Sequence, residues 1–279
     1  MKWGGIHMSN YKYAIIVPNY NNDHGDYKGK TYLRNCIESI LNQTYKDFTV
    51  VFVDDMSTDT SVKTVKSYKD KRIKIIKNYR KRYNGGSRNV AIEYALTKLD
   101  FDYFCFLDSD DWWKYNNVLE MIDDRLNDHE LMTLGCEMLQ HGLKVIHRRN
   151  HIPNCYEDIW STTNKIWCTA WSRVIRKDKI KYFCESTLME DRVWSYKIAD
   201  DIDYNKVANL PVIVYVWNQL NSNSVSKSNS PMWNYSTWCH IGHCKQFMAE
   251  IKHKEMLPVL EQRVNECIEN LKNGVYMQG

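Results

Sequence analysis

Residues 13–107 alternate between short apolar runs and stretches of helical periodicity, and this alternation constrains the fold more than any other feature of the chain. Tyr13-Ala-Ile-Ile-Val17, stopped by Pro18, reads as a buried strand, and Phe48-Thr-Val-Val-Phe-Val53 as a second. Residues 73–77 and 103–107 predict a third and a fourth. Between them, Leu33, Cys36, Ile37, Ile40 and Leu41 recur at helical spacing within 31–41, and 58–68 and 87–99 predict further helices. Strands that are apolar at odd and even positions alike are covered on both faces, so the pattern predicts an α/β fold with a mostly parallel, Rossmann-like sheet flanked by helices. In such sheets ligands bind at the carboxyl ends of the strands. That rule singles out residues 19–26, 54–57 and 108–113.

The chain after residue 113 is less regular. Residues 131–139 and 143–147 predict a strand pair turned at His141-Gly142, 190–199 a helix and 212–217 a strand. In 257–271, Leu257, Leu260, Val264, Cys267, Ile268 and Leu271 share one helical face, with Pro258 near the first position. The polar stretch 218–230, with five Ser and four Asn, reads as a loop able to close over a site.

The strand ends carry the chemistry. Phe104-Cys-Phe-Leu-Asp108-Ser-Asp110-Asp111-Trp112 drops from an apolar strand into three carboxylates. Crowded carboxylates repel one another unless a cation sits among them, and oxygen ligands favour Mg²⁺ or Mn²⁺ over Zn²⁺. A solvated turn with Asp110 or Asp111 capping a helix is the competing reading. Val50-Val-Phe-Val-Asp54-Asp55-Met-Ser57-Thr58 ends likewise in paired carboxylates, able to accept hydrogen bonds from a base N–H or a ribose hydroxyl, or to serve the start of the next helix. Tyr20, leaving the first strand in Val17-Pro18-Asn19-Tyr20-Asn21, can stack on a nucleobase or pack within its loop.

Together these stretches resemble glycosyltransferase family 2, the nucleotide-sugar-dependent enzymes of GT-A fold. Tyr32-Leu-Arg-Asn-Cys-Ile-Glu-Ser-Ile-Leu-Asn-Gln43-Thr44-Tyr45 is similar to that family's first helix and its Gln-Thr-aromatic turn, and Asn84-Gly85-Gly86-Ser87-Arg88-Asn89 to its Gly-rich segment with the following Arg-Asn. Met189-Glu190-Asp191 resembles the acidic pair near the acceptor. The match is close from 13 to about 113 and patchy to about 226.

The resemblance implies a GT-A catalytic domain over 10–226, with a nucleotide-binding half (10–113) and an acceptor-side half (114–226), followed by a helical extension over 227–279. It implies an inverting, metal-dependent transfer from a UDP-sugar to an acceptor hydroxyl in cell-surface polysaccharide synthesis. Pro18, Tyr20, Asp54, Asp55, Gly86, Arg88, Asp108 and Ser226 would bind the donor. Tyr20 would stack on uracil, Asp55 hold its N3–H, Asp54 support that loop, and Arg88 contact phosphate or sugar. Asp110 would ligate Mn²⁺ or Mg²⁺ with Asp108 beside it, and Asp191, next to Glu190, would be the general base. Asn223-Ser224-Val225-Ser226 would close on the diphosphate. One departure is the stretch 22–30, Asn-Asp-His-Gly-Asp-Tyr-Lys-Gly-Lys, longer than the family's usual connection and lying beside the base pocket.

Composition bounds the alternatives. With 279 residues, 43% hydrophobic and 26% charged, the chain is no disordered segment. No run approaches the ~18 apolar residues of a membrane span, and residues 1–10 lack a secretory signal's apolar core. Nine Cys, several inside apolar runs, fit reduced thiols. A cytoplasmic protein is expected, with a lipid-linked glycan at the inner membrane face as one acceptor, where Trp233, Tyr235 and Trp238 offer a peripheral contact. The eight Lys or Arg in 71–88, with no acid, predict a solvated face or an anion site, and leave open a modified nucleic-acid base as acceptor, though a net charge of +4 does not demand nucleic acid. Cys239-His240-Ile-Gly-His243-Cys244 is compact for a zinc site and fits a helix face as well. A nucleotide-sugar-binding protein without turnover is the non-enzymatic reading. The sugar, the acceptor and the oligomeric state are not encoded in any motif.

Overall fold

The computed structural model describes residues 11–80, 83–140, 145–148, 169–222 and 232–273. Strands β1 (Tyr13–Asn19), β2 (Phe48–Asp54), β3 (Ile73–Lys77) and β4 (Tyr103–Phe106) lie in the order β3-β2-β1-β4, all parallel. Helices α1 (Tyr32–Leu41), α2 (Ser61–Ser67) and α3 (Asn84–Lys98) connect them. Beyond β4 the sheet continues through β5 (Trp112–Trp113), β6 (Leu131–Leu139), β7 (Val145–Arg148), β8 (Arg173–Arg176) and β9 (Val207–Asn218). Here β8 runs antiparallel to both β4 and β6, β9 is parallel to β6, and β5 and β7 are antiparallel edges. The mixed part thus begins where the sequence loses its regular alternation. α4 (Val118–Leu126), α5 (Glu190–Ala199), α6 (Met232–Glu250) and α7 (Leu257–Lys272) complete the described elements.

The central strands bury both faces, as their unbroken apolar runs require. Tyr13, Ile15 and Val17 point into a core shared with α1 and α4; Ala14 and Ile16 point into one shared with α3, α5, α6 and α7. α1 is typical of how local sequence sets the frame. Thr31 caps it by accepting from Arg34 N–H, and Leu33, Cys36, Ile37 and Ile40 face inward. It stops at the Gln-Thr-aromatic turn, where fully buried Gln43 donates to the Tyr115 carbonyl (2.7 Å) and accepts from Leu119 N–H (3.1 Å). That side chain fixes α1 to the segment leaving the Asp108–Asp111 loop.

The expected strands and helices of residues 13–107 are present, and the expected pair near 131–147 is β6 with β7, its turn at 141–144 lying outside the described residues. The strand expected at 212–217 starts earlier, at Val207. β5, β8 and α4 were not anticipated: each is short, and β8 reads Arg-Val-Ile-Arg, too brief for periodicity to register. Among the described residues no helix is long and apolar enough to cross a membrane.

Candidate active site

Three loops at the carboxyl ends of β1, β2 and β4 open onto one crevice, and the N-terminus of α5 meets them from the other side. Pro18 is buried in β1 beside Val53, and Tyr20, just past the strand, is 47% exposed. Asp54 accepts from Ser57 N–H at 3.3 Å with both oxygens, which curls the loop after β2. Asp55, 5% exposed, accepts from Asn78 Nδ2 (2.7 Å) and from Tyr83 N–H (2.8 Å). Tyr83 has φ 82° and ψ 171°, a conformation that costs a non-glycine residue about 1–3 kcal/mol, and the Asp55 contact holds it there. Each carboxylate oxygen keeps a second lone pair, so Asp55 can still accept from a base N–H.

Gly86 lies buried in the first turn of α3. Its neighbour Gly85 carries the steric demand: a Cβ there would sit 2.3 Å from the Cys184 carbonyl oxygen. α3 can therefore approach the 183–185 segment only with glycine at 85, and the Gly-Gly pair was the signal that could have found it.

Arg88, one turn into α3, is 1% exposed. Its Nη2 donates to Asp108 Oδ1 (2.7 Å), and its Nη1 donates to Glu190 Oε1 (2.7 Å) and Asp191 Oδ1 (2.8 Å). The resemblance implies a contact with phosphate or sugar; in the structure Arg88 is the shared counterion of three acids. Burial works against its charge, and Asp191, Asp108 and Glu190 outweigh that and hold it protonated. The bracket brings the β4 loop and the α5 N-terminus to one point. Burial raises the pKa of both Glu190 and Asp191, with Arg88 opposing. The Asp191 side chain is 20% exposed against 7% for Glu190, and its Oδ2 accepts from Ala170 N–H (3.2 Å). Asp191 is therefore the more exposed acid of the pair.

In the Asp-x-Asp loop, Asp108 is turned toward Arg88. Asp110 accepts from Asn221 Nδ2 (2.7 Å) with Oδ2, and its pKa is pushed up to about 6, first by burial and then by Asp108. Asp111 is a support: 2% exposed, it accepts from Tyr215 OH (2.6 Å) and Asn218 N–H (2.7 Å), tying the loop to the end of β9. Among the described residues no group of three or more His, Cys, Asp or Glu side chains is arranged to hold a metal ion. The donor set fits a hard divalent cation that takes one or two carboxylate oxygens and completes its shell with phosphate and water. Ser226 lies outside the described residues, and so do Lys81 and Arg82 of the basic run. His240 and Cys244 are buried in α6, with Sγ 3.5 Å from Nε2.

Comparison with known proteins follows the same lines. The family model described as "Glycosyl transferase family 2" matches residues 14–188. The chain belongs to glycosyltransferase family 2. An uncharacterized glycosyltransferase of Haemophilus influenzae is 31% identical over 139 residues, covering 48% of this chain and 51% of that protein. The Escherichia coli protein named UDP-Glc:alpha-D-GlcNAc-diphosphoundecaprenol beta-1,3-glucosyltransferase WfgD is 36% identical over 114 residues, 41% of this chain and 40% of its own. The matched stretch thus spans about half or less of these relatives. In fold, the chain is similar to S. aureus TarS 1–349 in complex with UDP-GlcNAc (TM-score 0.68, 18% identity, 92% of this chain and 71% of that one). It is similar also to the Pyrobaculum calidifontis mannosyltransferase PcManGT in complex with GDP-Man and Mn²⁺ (TM-score 0.58, 14% identity, 94% and 70%). These likenesses establish the GT-A type of fold: a mixed sheet flanked by helices, with helices at the C-terminus.

Proposed function

We propose that this family 2 protein transfers a sugar, with inversion, from a nucleoside-diphosphate sugar, a UDP-sugar by our reading, to an acceptor hydroxyl. The observation that carries this is the Arg88 bracket, which joins the acidic loop of the donor side, through Asp108, to Glu190 and Asp191. A base and a donor-binding loop are thereby held at one place in the crevice.

The proposed roles are those the family resemblance implies, and the geometry is compatible with them. Tyr20 offers an exposed ring to the base, and Asp55 accepts its N–H, with Asp54 shaping the loop. Asp191 takes the acceptor proton. Burial raises its pKa, and a carboxylate of raised pKa is the stronger base. The oxygen so freed attacks the anomeric carbon from the face opposite the departing diphosphate, which gives inversion. Asp110, with Asp108 beside it, would hold Mn²⁺ or Mg²⁺, which when bound supplies positive charge to the leaving diphosphate. Arg88 holds Asp108, Glu190 and Asp191 at fixed distances throughout.

The names of relatives point to lipid-linked glycans and cell-wall polymers, WfgD by its diphosphoundecaprenol acceptor and the Bacillus subtilis protein GgaB by its title in minor teichoic acid biosynthesis. We infer an acceptor of that class, a growing surface glycan. Exposed Tyr235 (61%) and Trp238 (58%) on α6 are then the rings that would meet a membrane surface.

The test is calorimetric titration with UDP, with and without Mn²⁺, on wild type and Asp110→Ala. We expect UDP binding strengthened by Mn²⁺ in the wild type and indifferent to it in the variant. GDP binding in place of UDP would reassign the base, and no nucleotide binding would overturn the reading.

A further inference from the structure

The stretch 22–30, longer than the family pattern requires, is anchored to both acidic loops. On the β2 side, the Asp23 carboxylate accepts from Thr60 Oγ1 (2.5 Å), Thr64 Oγ1 (2.6 Å) and Thr31 Oγ1 (2.8 Å), and its N–H donates to Asp59 Oδ2 (2.9 Å). On the β4 side, Asn22 Nδ2 donates to Ser109 Oγ (2.7 Å), and the Tyr27 ring stacks on Trp112 at 4.7 Å and 26°. The turn between depends on Gly25: φ is +74°, and a Cβ would fall 2.2 Å from the Tyr32 ring.

At the centre stands a relay that no motif reveals, because its ends are 197 residues apart. His24 Nδ1 meets the Asn21 carbonyl oxygen (2.7 Å), and Nε2 meets Asn221 Oδ1 (3.1 Å). Asn221 Oδ1 is an acceptor, so the ring holds it by donating from Nε2. Asn221, 2% exposed, donates from Nδ2 to Asp110 Oδ2 (2.7 Å) and to Asn22 Oδ1 (3.3 Å). The amide has one workable orientation. Turned over, it would press an oxygen against the Asp110 carboxylate and an NH₂ against a donating imidazole nitrogen.

We propose that His24 and Asn221 are positioning residues for Asp110: the 22–30 segment, through His24, holds the Asn221 amide so that it donates to one Asp110 oxygen and leaves the other for a divalent cation. The inference rests on the reading of Asp110 as a metal carboxylate. It explains why a longer connection sits at this corner of the crevice. A ligating carboxylate held by a hydrogen bond keeps its direction when the cation arrives, and loss of such outer contacts typically weakens metal binding.

The experiment compares UDP affinity with and without Mn²⁺, by calorimetry, in wild type, Asn221→Ala, His24→Leu and His24→Gln, alongside the thermal midpoint of each ligand-free protein. The strengthening of UDP binding by Mn²⁺ should fall about ten-fold in Asn221→Ala and His24→Leu, the size expected of an outer contact, while metal-free UDP affinity stays within about two-fold. His24→Gln, whose Nε2 can still donate to Asn221, should recover most of the loss. Equal losses of metal-free and metal-dependent affinity would make the relay a structural staple only and overturn the proposal. So would a full metal response in both Asn221→Ala and His24→Leu. A wild type whose UDP binding ignores Mn²⁺ overturns the Asp110 reading itself, and the inference with it.

Discussion

The loops after β2 and β4 both end an apolar strand in adjacent carboxylates, and the fold treats them in opposite ways. After β2, the carboxylates are met by N–H donors: Ser57 N for Asp54, Asn78 Nδ2 and Tyr83 N for Asp55. After β4, Asp108, Asp110 and Asp111 are crowded together, the first two half-buried and Asp111 buried. Asp110 is raised to about 6, and Asp111 is raised well above the usual range by burial and then by its two neighbours. The first loop is a finished hydrogen-bonding platform. The second carries more negative charge than its neighbours neutralise, which a cation relieves. A pattern of paired acids at a strand end therefore does not fix a role; the donors around it do.

The largest effect should come from the acid that Arg88 joins to the second loop. Asp191→Asn removes the proposed base and should lower the transfer rate by about 10²–10⁴, with UDP affinity unchanged. With Asp191 as the proposed base, transfer requires its carboxylate ionised. Burial raises its pKa, so the rate should fall as pH drops through a value above the ordinary ~4 of an aspartate. A pH–rate profile checks the sign, and full activity in Asp191→Asn would move the base elsewhere.

Arg88→Met comes next. It leaves Asp108, Glu190 and Asp191 without their common cation, and removing one partner of a buried ion pair costs about 3–5 kcal/mol. Urea unfolding measures it. A loss below about 1 kcal/mol would mean that the three acids are relieved by some other route, and the contrast between the loops would lose its physical basis.

Asp55→Asn tests the first loop directly. A charge-assisted hydrogen bond is worth about 1.5–3 kcal/mol, so UDP affinity should fall about ten-fold or more, equally with and without Mn²⁺. If the loss appears only with metal, the two loops are not separate devices.

How far this contrast could be read in advance differs along the chain. Val50-Val-Phe-Val-Asp54 and Phe104-Cys-Phe-Leu-Asp108 announce a buried strand with an acid at its tip, because burial on two faces leaves an unbroken apolar run. The sequence also places Glu190-Asp191 at a helix start, where α5 begins. It does not disclose that Arg88 turns inward, since an arginine after a Gly-rich turn looks the same whether it faces phosphate or three carboxylates. Nor does it disclose Asn78, Asn221 or Tyr215 as partners of Asp55, Asp110 and Asp111. Those contacts join distant segments, and an asparagine or tyrosine has no periodic signature when its purpose is one hydrogen bond.

The smallest predicted effect isolates the support beneath the second loop. Tyr215, fully buried and stacked on Trp171 at 4.4 Å, donates its OH to Asp111 Oδ2, and its hydroxyl oxygen accepts from Asp108 N–H at 3.3 Å. Tyr215→Phe keeps the ring in place and deletes that oxygen alone. Asp111 then keeps only Asn218 N–H among these two donors, and Asp108 N–H loses its acceptor. Leaving a buried polar group unpaired costs about 1–3 kcal/mol, so stability should drop by that amount in denaturant unfolding. The more telling readout is the metal response. If Asp111 serves only to anchor the loop, the strengthening of UDP binding by Mn²⁺ should change less in Tyr215→Phe than in Asp110→Ala, and Asp55-dependent binding should not change at all. An equal loss in both would make Tyr215 and Asp111 part of the charge arrangement itself, and the second loop would then act through all three of its acids.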